Sequence, residues 1–249
     1  MHRSKRTQPE LALKIGFDTS IMNPAESRGQ SMSKTAAIQY APEAPKDCDL
    51  CPRLRQFILD QREKEPNWFN GAVPSFGDDK AELLIIGLAP GMTGANRTGR
   101  PYTGDWAGAL LYATLAKIGF SSWTYDRRPD DWLKLKKAMI TNAVRCVPPQ
   151  NKPIGAEINQ CRPFLNARID ALSNVKVLLC LGKISHDSTV RALGVKLKDY
   201  PFGHASEYKI GDVTLLSSYH CSRYNTNTRR LTSEMFEAVF ARAKILLAG

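Results

Sequence analysis

Three loops of the sequence carry side chains that could bind a small flat molecule and act on it. The first loop ends with Tyr102 and Asp105, the second contains Asn142, and the third contains His220. An aromatic ring offers a stacking surface, and an amide donates and accepts hydrogen bonds at once. A carboxylate and an imidazole can support acid, base or electrostatic catalysis. Together these residues predict a site for a planar heterocycle with polar edges.

Glycines in the first loop would let its backbone approach such a ligand closely. Gly87 and Gly91 flank Ala89 just after a predicted strand, and we expect these three residues to line the substrate site. The loop lacks the Gly-Lys-Ser/Thr ending of a phosphate-binding loop and the Gly-x-Gly-x-x-Gly pattern of a dinucleotide fold. A nucleotide-phosphate site is therefore disfavoured.

Each of these side chains also has a simpler structural interpretation. Tyr102 could be a core residue, and Asp105 could cap the helix predicted to begin near Ala107. Asn142 could satisfy backbone groups at a strand end, and an isolated histidine such as His220 more often packs than catalyses. The third loop favours the functional interpretation, because it is rich in Ser, Thr, Asn and Arg, which suit phosphate binding.

Four cysteines are spaced so that they could surround one metal centre. Cys48 and Cys51 form a Cys-x-x-Cys pair at the start of a predicted helix, and Cys146 and Cys161 flank a proline-rich loop. Such a set can bind zinc or a [4Fe–4S] cluster, and the spacing does not distinguish them. Either centre would be structural and would attach the first helix to the loop after the second strand. Four unrelated free cysteines are the alternative interpretation.

Short apolar runs and helical patterns alternate along the chain that surrounds these loops. The runs cover residues 83–87, 138–144, 175–181 and 213–218, and a helical pattern follows each of them. This alternation predicts a three-layer α/β/α fold in which helices cover both faces of a parallel sheet. Ligands of such sheets bind beyond the carboxyl ends of the strands, so the three loops should meet at one site.

The charge balance indicates an anionic partner. The chain has 35 Lys and Arg residues against 24 Asp and Glu residues, which gives a net charge of +11. A surplus of this size favours binding to a polyanion such as nucleic acid. A basic surface that only improves solubility is the alternative.

The chain is expected to be a soluble monomer of the reducing cytoplasm. No apolar run approaches the ~18–20 residues of a membrane span, and no secretory signal is recognisable. An organellar transit peptide is the alternative for the start of the chain. Residues 1–45 lack sustained periodicity and are predicted to be a flexible or loosely docked tail before a single domain at 46–249.

Three blocks of the sequence resemble the motif regions of the family 5 (type B) uracil-DNA glycosylases. The blocks are GLAPGMTGANRTGRPYTGD, TNAVRCVPPQNKP and SSYHCSRYNTNTRRLT, and the resemblance extends from about Cys48 to the C-terminus. It implies a four-stranded parallel sheet between helices. It also implies a monofunctional repair enzyme that flips uracil, and also hypoxanthine, out of double-stranded DNA and hydrolyses the N-glycosidic bond. An abasic site is the expected product.

The resemblance also implies roles for single residues. Tyr102 would stack on the flipped base, Asn142 would read its edge, and His220 would hydrogen-bond its carbonyl as it leaves. Asp105 matches the acid proposed to serve catalysis, and the first strand end lacks the Asp or Glu of other glycosylase families, which is a type B trait. The cysteines match ligands of a [4Fe–4S] cluster in this family and in family 4. The residues expected to contact DNA are Arg97, Arg100, Ser222, Arg223, Asn225 and Thr226.

Two other classes of protein are alternatives to a glycosylase. A non-catalytic DNA-binding module with a structural metal would bind damaged DNA without releasing a base. A zinc-dependent deaminase would need a His-x-Glu motif paired with Pro-Cys-x-x-Cys, and no His-x-Glu occurs in the chain. The glycosylase is the preferred interpretation, whereas the preferred lesion and opposing base are not predicted.

Overall fold

A six-stranded sheet forms the centre of this structure, a computed structural model that describes residues 40–249. The sheet has the strand order β1-β5-β2-β6-β8-β7, and β3 pairs with β4 in a separate small ribbon. In chain order the strands are β1 (Phe76–Gly77), β2 (Leu83–Gly87), β3 (Ser121–Ser122), β4 (Lys134–Leu135), β5 (Ala138–Asn142), β6 (Val177–Leu181), β7 (Glu207–Ile210) and β8 (Val213–Ser218).

The four central strands are parallel, as the apolar runs predict, but the sheet does not end with them. Antiparallel pairing adds β1 beside β5 and β7 beside β8. The expected four-stranded parallel sheet is therefore the middle of a mixed, six-stranded one. The edge strands were missed because β1 has only two residues and β7 alternates between exposed and half-buried positions. Neither contains the continuous apolar run of a strand that is buried on both faces.

Helices cover both faces of the sheet, which gives the expected three layers. α3 and α7 pack on the face that contains Ile85 and Leu179, and α4 and α5 pack on the face that contains Leu84 and Leu178. The α-helices of the described residues are α1 (Pro52–Lys64), α2 (Ala95–Thr98), α3 (Trp106–Ile118), α4 (Gly155–Ala171), α5 (Lys183–Ala192), α6 (Arg223–Asn227) and α7 (Ser233–Ala248), and short 3₁₀ helices lie at Pro149–Asn151 and Leu197–Asp199. Over residues 40–249, no helix combines the length and the apolar character that crossing a bilayer requires.

The segment at residues 40–45 packs against the body of the fold. The ring of Tyr40 meets Phe164 edge to face, with 5.2 Å between the ring centroids. The tail boundary predicted at residue 45 therefore falls inside a packed segment. The rest of the predicted tail, residues 1–39, lies outside the described residues.

A buried arginine explains why this segment is attached. The Arg145 side chain is 1% exposed, and its guanidinium donates to Glu43 at 3.0 Å and to Ser75 Oγ at 2.9 Å. Arg168 pairs with the other oxygen of Glu43. A buried guanidinium without a counterion is strongly unfavourable, so Glu43 compensates a charge that the body of the fold has enclosed.

Candidate active site

A cavity of about 550 Å³ opens at the carboxyl ends of the parallel strands. Tyr102 and Asp105 from the first loop, Asn142 from the second and His220 from the third all line it. The three loops meet because parallel strands place their carboxyl ends along one edge of the sheet.

The floor of the cavity depends on a glycine. Gly87 ends β2 and is paired in register with Asn142, which ends β5. A Cβ atom at Gly87 would clash with both Asn142 Oδ1 and Tyr102 Oη, so no larger residue fits without moving them. The prediction that Gly87 lines the site needs correction, because Gly87 lies behind the side chains of Tyr102 and Asn142, which line the cavity. Ala89 and Gly91 line the cavity directly, as predicted.

Tyr102 is held in an unfavourable backbone conformation. Its φ of 55° lies in the left-handed region, which costs a non-glycine residue about 1–3 kcal/mol. The Tyr125 hydroxyl supports this turn, because it accepts from Gly104 N at 2.9 Å and donates to Tyr102 O at 3.2 Å. The Tyr102 ring, 7% exposed, lies beside His220 with 6.1 Å between ring centroids.

Replacing Tyr125 with phenylalanine should therefore lower the free energy of unfolding by about 1–3 kcal/mol. The substitution keeps the ring but removes two hydrogen bonds, each worth about 0.5–1.5 kcal/mol. Denaturant unfolding would measure the change. Tyr224→Phe is the matched control, because Tyr224 is 73% exposed and its substitution should change stability little. Equal stability of the two variants would contradict the supporting role of Tyr125.

Asp105 caps a helix and faces the cavity at the same time. Its Oδ1 accepts from Gly108 N at 2.9 Å and so caps the amino end of α3. Its Oδ2 points toward the first loop, where a Cβ at Gly91 would lie 3.2 Å from it. Burial raises the pKa of Asp105, and hydrogen bonds from the Gly108 and Ala107 N–H groups offset part of that rise. The structural and functional interpretations of Asp105 are thus compatible.

His220 follows β8, and its ring borders the cavity beside Tyr102. Burial lowers the pKa of His220 to about 4, so its imidazole is neutral near pH 7. The Asn225 amide donates to the His220 carbonyl at 2.8 Å and braces the loop from behind. Asn225 thus has an internal role in addition to the DNA contact predicted for it.

Four more of the residues predicted to contact DNA lie around the cavity mouth or on the nearby surface. Ser222 and Arg223 line the cavity, and Arg97 is exposed on the first loop. Thr226 Oγ1 accepts from Trp106 Nε1 at 3.1 Å. The Arg223 guanidinium lies 5.6 Å from the centre of the Trp106 ring, so a cation and an exposed aromatic are adjacent at the opening.

The prediction that Arg100 contacts DNA is wrong. Arg100 is 5% exposed, and its guanidinium makes two hydrogen bonds to Asp131, at 2.6 and 2.9 Å. It also lies over the ring of Phe76, 4.9 Å from the centroid. All of these contacts fix the first loop to the body of the protein, so the side chain is not available to a phosphate.

The structure adds two parts of the cavity wall that the sequence motifs did not indicate. One is Trp106, which follows Asp105 directly and is 52% exposed. The other is the segment 181–185, which joins β6 to α5. The third apolar run ends at residue 181, and the rule that ligands bind at strand carboxyl ends would have identified this segment.

The four predicted ligand cysteines line a second, smaller cavity between α1, α4 and the segment after β5. Burial, together with smaller effects of the nearby Cys161 and Cys48 thiols, raises the pKa of Cys51 to about 11. The Arg145 N–H donates to Cys161 Sγ at 3.3 Å. In the part of the chain that the structure describes, no three Cys, His, Asp or Glu side chains are grouped closely enough to hold a metal ion.

Comparison with known proteins gives a consistent picture. A family model described as the uracil DNA glycosylase superfamily matches residues 74–244. The chain is 43% identical to the type-5 uracil-DNA glycosylase of Thermus thermophilus, over 80% of this chain and 93% of that protein. It is 37% identical to the type-5 enzyme of Mycobacterium bovis, over 80% and 78%. It is 31% identical to the type-4 uracil-DNA glycosylase of Sulfurisphaera tokodaii, over 68% and 73%.

Proposed function

The chain belongs to the uracil-DNA glycosylase superfamily, within its type-5 group, and on this basis we propose that it is a DNA-repair enzyme that excises uracil from DNA. The reaction hydrolyses the bond between the base and its deoxyribose and leaves an abasic site. The observation that carries the proposal is the meeting of Tyr102, Asn142 and His220 in one cavity. An enzyme that acts on a base must take it out of the stack into such a pocket.

His220 and Asp105 suit the charges that develop when this bond breaks. Negative charge grows on the departing uracil, and a neutral imidazole N–H of His220 would donate to its carbonyl oxygen. Positive charge grows on the sugar, and the Asp105 carboxylate would stabilise it or orient the water that captures it. Tyr102 would stack on the base and keep it in place during these steps.

The decisive test uses a labelled duplex with one uracil, incubated with the protein and then treated with alkali. We expect strand scission at the uracil only after the alkali step, because a monofunctional enzyme leaves an intact backbone at an abasic site. Folded, pure protein that gives no scission would refute the proposed activity. Tight binding to the same duplex without base release would instead identify a non-catalytic damaged-DNA-binding module.

Replacing His220 with alanine should lower the single-turnover rate of uracil release by about 10²–10³, the usual effect of removing one positioned donor. The affinity for abasic duplex and the thermal unfolding midpoint serve as controls for a correctly folded variant. A variant that retains the full rate would exclude His220 from catalysis.

The lowered pKa of His220 leads to a prediction about the pH dependence of catalysis. Because burial lowers the pKa of His220 to about 4, the imidazole should stay neutral between about pH 5 and pH 8. A plot of log kcat/KM against pH reports pKa values of the free enzyme, so it should show no inflection near 6.5. An inflection there that disappears in His220→Ala would contradict the neutral-donor role.

The preferred substrates follow from the free-energy cost of flipping a base out of the duplex. Extrusion of a base from the duplex costs a few kcal/mol, and the cost is lowest for a mispaired base. Uracil opposite guanine should therefore be preferred to uracil opposite adenine in double-stranded DNA. Hypoxanthine is a further substrate in this proposal. The duplex backbone would be held by Arg97, Ser222, Arg223 and Thr226, with the enzyme acting as a monomer in the compartment of the chromosome.

The four cysteines are proposed to hold a [4Fe–4S] cluster. A single zinc ion needs sulfurs about 2.3 Å from one point, and the described thiols are not grouped that closely although all four line one cavity. A cluster of four irons accommodates thiolates that lie farther apart, and an N–H···S bond such as that from Arg145 to Cys161 is typical of its surroundings. The cluster would cross-link α1 and α4 to the segment after β5 and supply no electrons to a hydrolysis.

A further inference from the structure

Trp106 differs from the other exposed tryptophans of the described residues in its position. Trp123 and Trp132 are 70% and 81% exposed, but neither of them lines the cavity. Trp106 is 52% exposed and lies at the cavity mouth, directly after Asp105. Exposure by itself indicates little, because single apolar side chains are common on protein surfaces. The position of Trp106 beside the proposed catalytic residues is what indicates a part in binding the substrate.

A contact across the mouth holds the Trp106 ring in one orientation. Its Nε1–H donates to Thr226 Oγ1 at 3.1 Å, and this bond joins the amino end of α3 to α6. The Thr226 hydroxyl is held in turn, since the carbonyls of Ser222 and Arg223 lie within hydrogen-bond distance of it, at 3.2 and 3.1 Å. A side chain that is already ordered loses little conformational entropy when a ligand stacks on it. The ring is therefore preorganised for a flat ligand.

A cation lies beside the same ring. The Arg223 guanidinium is 5.6 Å from the centroid of the Trp106 ring, and Arg223 is itself exposed at the cavity mouth. Proteins that bind unpaired nucleic-acid strands combine aromatic rings, on which bases stack, with basic side chains that follow the backbone. The net charge of +11 suits a polyanionic ligand as well. An aromatic ring and a cation side by side thus match the base and the phosphate of one nucleotide.

We infer that Trp106 stacks on the base next to the flipped uracil in the same strand, while Arg223 binds a phosphate beside it. This inference rests on the proposed function. Once the target base has entered the cavity, the strand must continue across the mouth, where Trp106 lies. In a duplex the neighbouring bases are already stacked and paired, whereas in an unpaired strand they are free to stack on the indole. Trp106 should therefore contribute most to the binding of single-stranded or locally unpaired DNA.

A double-mutant cycle that changes the protein and the DNA together tests the inference. Single-stranded oligonucleotides carry one 2′-fluoro-2′-deoxyuridine, whose fluorine slows cleavage. Its 5′ or its 3′ neighbour is either a normal nucleotide or a tetrahydrofuran residue, which has no base. Fluorescence anisotropy gives the dissociation constants for the wild type and for Trp106→Ala.

The expected result is a coupling between Trp106 and one neighbouring base. With both neighbouring bases present, Trp106→Ala should weaken binding by about 5- to 150-fold, the usual range for the loss of one base–aromatic stack. Removal of the stacked base should weaken binding by the wild type to a similar degree and have little further effect in Trp106→Ala. For a duplex that contains the same uracil, Trp106→Ala should lose less affinity than for the single strand.

Two further variants serve as controls. Trp132→Ala removes a tryptophan that is 81% exposed but does not line the cavity, so its dissociation constants should equal those of the wild type. Trp106→Phe loses the bond to Thr226 but keeps an aromatic face, so it should retain the coupling to the neighbouring base. If Trp106→Ala does not fold, Trp106→Gln takes its place, because glutamine has no aromatic face but keeps an N–H donor for Thr226.

Each outcome decides the inference. An unchanged affinity in Trp106→Ala overturns it, and so do independent effects of the protein and DNA changes at both neighbours. A larger loss of affinity for the duplex than for the single strand overturns it as well. Protein that shows the coupling but never releases uracil refutes the proposed catalytic function alone. Excision of uracil without the coupling refutes this inference alone.

Discussion

Replacing Asp105 with asparagine should lower the single-turnover rate of uracil release by about 10²–10⁴ without lowering the stability of the fold. Asparagine caps helices about as well as aspartate, so the bond from Gly108 N to the side chain at position 105 should survive. What disappears is the negative charge at the cavity. The variant thus isolates the electrostatic role of Asp105 from its structural one.

Asp105→Ala is the companion variant. It should lose the same factor in rate and, in addition, about 0.5–2 kcal/mol of unfolding free energy, because alanine cannot cap α3. Quench-flow or manual single-turnover assays and denaturant unfolding measure the two effects separately. If asparagine at this position supports the full rate, Asp105 serves only as a helix cap.

The raised pKa of Asp105 determines the direction in which the catalytic rate and the stability change with pH. Burial raises its pKa above the ordinary value of 3.8, and the charged form is the one required, so the rate should fall as pH falls through that raised pKa. The Asp105→Asn variant should lack this part of the profile. A raised pKa in the folded state also means that the stability contributed by Asp105 is lost as pH rises through it. Above that pH, Asp105→Asn should therefore gain stability relative to the wild type.

Replacing Cys146 with alanine should abolish cluster binding and destabilise the whole fold. A structural metal centre contributes folding free energy directly, and losing one of four ligands should cost on the order of 5 kcal/mol or more. That amount is comparable to the whole stability of a typical domain. Visible absorption, iron content and the denaturant midpoint of the purified protein would measure the loss.

Cys180→Ala is the matched control for this experiment. Cys180 is fully buried in β6, and its thiol contacts Thr189 Oγ1 at 3.2 Å rather than the other cysteines. Its substitution should cost only about 1–2 kcal/mol, as an ordinary core change, and should keep the visible absorption. Stoichiometric zinc and no iron in the wild type would contradict the cluster, because zinc has no visible absorption of this kind.

The sequence was sufficient to predict the four central strands and the loops that follow them. A strand buried on both faces must be apolar throughout, so residues 83–87 and 177–181 were recognisable without any long-range information. The edge strands β1 and β7 were not, because a short or half-exposed strand is stabilised by its neighbour more than by its own composition.

Local sequence could not decide which side of a loop each side chain faces. Arg97 and Arg100 lie three residues apart in the same glycine-rich block, yet the first is exposed and the second is buried against Asp131. The partner that buries Arg100 is 31 residues away along the chain. Burial of a charge depends on such distant partners, and a motif does not encode them.

By itself the sequence determined the layered sheet, the edge at which the loops meet and the residue types available there. Only the tertiary structure decided how those residues act together. Tyr102 and Asn142 share the space beside Gly87 because two parallel strands end side by side. Side-chain direction, burial and hydrogen-bond pairing are properties of that packed arrangement, and residues distant in sequence supply most of its contacts.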